Sequence, residues 1–142
     1  NNKVPKKNKL EEVDTKLLEN LQKKLPDLIN LMNKQNLNEY IKMVVNFSFE
    51  ANKYFNDSEP WAVKKKDPDR MNSILNTVTH QIKNISILLY PIIPNSTIKV
   101  LKTININESD IKISNILNLN ILDHNIELKN LEILFTKIEN DN

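Results

Sequence analysis

Not one of the 142 residues is a glycine. Glycine enters left-handed backbone at no steric cost and lets a chain approach a ligand closely. Without it, glycine-rich phosphate loops, dinucleotide-binding fingerprints and nucleophile elbows cannot be built. Handling of ATP inside this chain is therefore disfavoured. Left-handed turn and helix-ending positions should fall to asparagine, the next most tolerant residue, of which there are two dozen.

What remains is helical spacing punctuated by proline. Asn1 to Lys9 is a basic lead-in containing Pro5. Leu10, Val13, Leu17, Leu21, Leu25, Leu28 and Met32 then recur at the three-or-four interval of one helix face. Pro26 interrupts them, which predicts a kink or a break into two shorter helices. Asn36 or Asn38 can cap a second helix, with Leu37, Tyr40, Ile41, Val44, Phe47, Ala51, Tyr54 and Phe55 as its buried stripe. The polar run Asn56 to Pro60 reads as a loop, because Pro60 pushes Glu59 out of helical geometry.

Asp67 followed by Pro68 is an N-cap with proline at the first helical position, so a third helix starts there. Its expected core face is Met71, Ile74, Leu75, Val78, Ile82, Ile85, Leu88 and Leu89, and Pro91 and Pro94 end it. A short helix over 96–101 and another near 111–117 should follow, within an otherwise extended, wrapping tail. The expected fold class is all-α: an antiparallel helical bundle over 10–101, with an irregular tail over 102–142 packed back on it.

At 39% hydrophobic and 27% charged residues, one ordinary domain can bury a core and stay soluble. No apolar run approaches a membrane span, and the basic N-terminus is no signal peptide. The lack of an initiator Met suggests a piece of a longer protein. Cysteine is absent, which excludes disulfides and thiolate metal sites and suits the cytoplasm. Residues 1–102 carry 17 Lys and Arg against 11 Asp and Glu, and residues 103–142 carry 3 against 7. A basic body with an acidic tail is compatible with a polyanionic partner, and equally with solvated helix faces.

No enzyme constellation stands out. His80 and His124 are far apart, and His80 reads as a partly exposed structural histidine. No metal-ligand spacing is present. The distinctive segment is Glu59-Pro60-Trp61-Ala62-Val63-Lys64-Lys65-Lys66, which sets the only Trp beside three lysines. A single-stranded nucleic acid reader needs such a pairing, because a splayed base stacks on the ring while lysines neutralise phosphates. The same residues also fit an indole plugging the gap between helix ends beside a solvated lysine run.

Ala51-Asn52-Lys53-Tyr54, a short polar loop, then Pro60-Trp61 and a Lys-rich stretch resemble the anticodon-binding domain of methionyl-tRNA synthetase. Leu88-Leu89-Tyr90-Pro91-Ile92-Ile93-Pro94 is similar to that family's leucine-rich helix ending in paired prolines, and Leu134-Phe135-Thr136-Lys137-Ile138-Glu139 to its closing segment. The resemblance implies one anticodon-binding domain over 1–142, incomplete on its N-terminal side. Its parent would be an ATP-dependent, cytoplasmic, monomeric methionine–tRNA ligase. Trp61 would stack on a base of the CAU anticodon, Pro60 would shape its presentation, and Lys64 and Lys65 would meet the tRNA. The family's Asn and Arg pair on a preceding helix has no match here. ATP, with Mg, and any zinc belong to other parts of such an enzyme, and the catalytic domain of the same chain is the implied partner. A helical interaction or scaffold domain, or the anticodon domain of a leucine, valine, isoleucine or cysteine enzyme, are the alternatives.

Overall fold

The computed structural model describes residues 3–4 and 9–122; the closing motif at 134–139, His124 and the last part of the expected tail lie outside them. Helix α1 spans Glu12–Asn33, α2 Leu37–Ser58, α3 Pro60–Val63, α4 Pro68–Leu89 and α5 Pro94–Thr103. Two 3-10 turns follow, Glu108–Asp110 and Ile113–Ile116, where an α-helix near 111–117 was expected. Among the described residues the fold is all-helical, as the periodicity predicts.

Cross-links between helices show the packing directions. The start of α1 meets the end of α2 where Tyr54 reaches Asp14, and the start of α4 where Arg70 does. The end of α4 meets the start of α2, where the Tyr40 hydroxyl donates to the Leu88 carbonyl. Thus α2 runs antiparallel to both α1 and α4. Leu21, Leu25, Leu28, Tyr40, Val44, Phe47, Ile87 and Leu88 form the main core. Ile104, Ile106, Ile116 and Leu122 join it, so the described part of the tail does pack back on the bundle. A smaller cluster of Leu17, Tyr54 and Ile74 fills the other end.

Caps follow the local chemistry. The Asn36 side chain accepts from the Glu39 amide at 3.4 Å, and Asp67 accepts from the Arg70 amide at 2.9 Å with Pro68 behind it. Three non-glycine residues take left-handed backbone: Asn105, as expected, and also Gln35 and Glu59.

Leu37, expected in the buried stripe of α2, is instead exposed, and two larger expectations also need correction. Helix α1 is not broken into two at Pro26 but continues from Glu12 to Asn33 through it, the ring lying on the exposed face where solvent reaches the carbonyl deprived of its donor. Pro26→Ala should therefore raise unfolding stability by about 2 kcal/mol. The interior-proline cost is about 3 kcal/mol, less what proline returns by stiffening the unfolded chain. Urea denaturation checks this, and an unchanged midpoint would mean that the helix has relaxed around the ring. The second correction is α4. Ile82 is 42% exposed, whereas Asn76, Thr77, His80, Gln81, Lys83 and Asn84 are buried, His80 at 1% exposure. Because α4 is the central helix, packed against α1, α2, α3, α5 and Ile113–Ile116, its polar side is covered as well.

Candidate functional site

Where α2 ends, the chain must turn without glycine. Glu59 does so in left-handed backbone (φ 43°, ψ 56°), a conformation costing a β-carbon-bearing residue about 1–3 kcal/mol. Pro60 then starts α3, its φ already set for a helix. The polar stretch before Pro60 is therefore helix almost to its end, and Trp61 sits on a helical turn, not in a loop. Backbone bonds hold the turn: Ala62 and Val63 donate to the Glu59 carbonyl at 2.9 and 3.1 Å, and Lys64 to Pro60 at 3.0 Å. Lys66 and Asp67 both donate to the Val63 carbonyl, at 2.9 and 2.8 Å. The lysine run is thus a structured bend leading into α4.

Of the residues singled out in the sequence, Pro60 is buried as the base of the turn. Trp61 is 56% exposed, which excludes the gap-plugging role. Lys64, Lys65 and Lys66 are all exposed on the residues that follow. One neighbour escaped the sequence reading. The Phe55 ring stands 5.9 Å from the indole, centre to centre, at 59° between planes, a tilted aromatic contact that supports one side of Trp61. The six-residue separation across a helix end carries no periodic signal that would have revealed it.

Beneath this corner lies a charged network. Asp14 is fully buried, and its carboxylate accepts from Tyr54 Oη (2.5 Å), Arg70 Nη1 (2.5 Å), Arg70 Nη2 (2.9 Å) and the Glu11 amide (2.8 Å). Burial alone would raise the Asp14 carboxyl, but the Arg70, Tyr54 and Glu11 hydrogen bonds outweigh it and hold it below the usual range. Burial and the Asp14 contact push the Tyr54 hydroxyl up, so it stays a donor. Arg70 Nε also faces Glu11 at 3.3 Å. Asp57, the acid nearest the turn on α2, pairs with Lys53 at 2.5 Å. No group of three or more potential metal ligands gathers among the described residues. No helix among them is long and apolar enough to cross a membrane.

An outward-facing indole beside a cationic bend suits base stacking with phosphate neutralisation. The family described as the anticodon binding domain of methionyl tRNA ligase matches residues 4–142. A probable cytoplasmic methionine–tRNA ligase of Dictyostelium discoideum is 32% identical over 99% of this chain and 19% of its own length. A methionine–tRNA ligase of Rickettsia felis is 37% identical over 58% of this chain and 16% of its own. The chain thus spans less than a fifth of these relatives. The apo crystal structure of Mycobacterium tuberculosis methionyl-tRNA synthetase superposes with a TM-score of 0.87 at 18% identity, over 98% of this chain and 28% of that one. That likeness is one of fold.

Proposed function

The chain belongs to the family of methionyl-tRNA ligase anticodon-binding domains, and from that premise we propose that it reads the CAU anticodon of a methionine tRNA through Trp61. The observation that carries this reading is the 56% exposed indole at the α2–α4 corner, followed after Ala62 and Val63 by three exposed lysines. A base splayed from the anticodon loop stacks on the open face of the ring. Pro60, buried and fixed in φ, sets the height of the turn. Lys64 and Lys65 neutralise the flanking phosphates as point charges.

The parent protein in this reading is a cytoplasmic, monomeric ligase that joins methionine to its tRNA. ATP and Mg serve its catalytic domain, which lies elsewhere in the same polypeptide. The bundle and the segment that follows it act as one anticodon-binding domain over 1–142, and its contribution is selection of the tRNA.

The test is Trp61→Ala in the full-length enzyme. Loss of a stacked base, worth about 1–3 kcal/mol, lowers kcat/KM for tRNA by about 5- to 150-fold. ATP–pyrophosphate exchange stays near wild type, because it does not involve the anticodon. If both activities fell together, or neither fell, Trp61 would not be the stacking residue.

A further inference from the structure

The Asp14 network does more than fill a corner, because its donors flank the segment that bears Trp61. Tyr54, on the near side, is followed directly by Phe55, the ring that supports the indole. Arg70, on the far side, has its own amide held by Asp67, which closes the lysine bend. One buried carboxylate on α1 therefore ties down both ends of the 55–69 segment. Helix α3 has a single turn of its own and depends on such anchors for its placement. A stacking surface held in place before binding loses less freedom when the base arrives.

We propose that Asp14, Tyr54 and Arg70 are positioning residues for anticodon reading, setting through Phe55 and the α3 turn the direction in which Trp61 presents its face. This rests on the reading of Trp61 as the stacking residue. None of the three touches the RNA. Each acts by fixing where the α2 end and the α4 start stand relative to α1.

The test uses the full-length ligase labelled with 5-fluorotryptophan, the Trp61 fluorine resonance being identified by its loss in Trp61→Phe. Tyr54→Phe removes one donor and keeps the ring, and should raise KM for tRNA about threefold. Arg70→Gln removes the fork and should raise it about tenfold or more, with kcat within about twofold and adenylate formation unchanged. Arg70→Lys, which restores charge but not the bidentate geometry, should recover part of the loss. In each affected variant the Trp61 resonance moves, which mere retention of the fold would not produce. Should Arg70→Gln fail to fold, Tyr54→Phe decides. Wild-type KM and an unmoved resonance in the folded variants overturn the proposal. If Trp61→Ala leaves charging intact, the stacking reading fails on its own. A displaced resonance in Tyr54→Phe would then still establish the clamp, and an unmoved one would refute it.

Discussion

Asp14→Ala should lower the unfolding free energy by about 3–5 kcal/mol, the cost of removing one partner from a buried ion pair. The carboxylate is fully buried, and the Arg70 side chain is only 14% exposed. Alanine would strand that guanidinium, leave the Tyr54 hydroxyl and the Glu11 amide without their acceptor, and loosen the start of α1 at once. Equilibrium urea denaturation of the 142-residue chain measures the loss. A shift below about 1 kcal/mol would mean that solvent readily replaces the carboxylate, as at surface pairs. Adding Arg70→Met to Asp14→Ala should return part of the stability, because an apolar replacement leaves no stranded charge. The pH dependence has a definite sign. The Asp14 carboxyl sits below its ordinary value of 3.8, so its contribution is complete above that pH. It is lost only as pH falls through the lower folded value.

Lys83 supplies the second large effect, and in the opposite pH range. Its side chain is fully buried, and its ammonium donates to the carbonyls of Asn115 and Asn118 at 2.7 and 3.0 Å, pinning the end of Ile113–Ile116 and the residues just after it onto α4. Burial pulls its pKa down to about 8 from 10.5. Keeping that charge inside at neutral pH therefore costs about 3 kcal/mol. Between these two values the unfolded chain binds more protons than the folded one, so stability rises with pH through the window. Above pH 10 the trend reverses, because Tyr40 and Tyr54 are held neutral by burial and resist ionisation. The difference in unfolding free energy between wild type and Lys83→Met, followed from pH 7 to 10, isolates the lysine. Parallel curves for the two proteins would show that folding does not lower the Lys83 pKa.

Helix identities and caps were legible because their causes are local. Asp67-Pro68 and Asn36 announce helix starts within three residues of themselves, and the leucine intervals of α1 need no partner to be read. What escaped depends on distant packing. Asp14 and Arg70 lie 56 residues apart, and Lys83 reaches carbonyls 32 and 35 residues on, so no window along the chain joins them. The buried side of α4 was misjudged for a related reason: apolar periodicity finds the inward face of an outer helix, whereas a central helix is covered on its polar side too. Trp61 and its lysines were legible as a composition, but the exposure that separates a stacking surface from a core plug comes only with the fold. The break expected at Pro26 does not occur because Leu21, Leu25 and Leu28, on both sides of the proline, pack into one core and hold the helix continuous.

The chain has a single arginine, and it is turned inward to Asp14. Every positive charge that the described surface presents is consequently a lysine: hydrated, freely rotating and unable to form a two-pronged grip on phosphate. In the proposed reading, attraction to the tRNA from this face is thus diffuse, weakened by added electrolyte and indifferent to base identity. Under the proposed role, Trp61 adds affinity for any unstacked base, so choice among bases falls to groups other than these lysines and this ring.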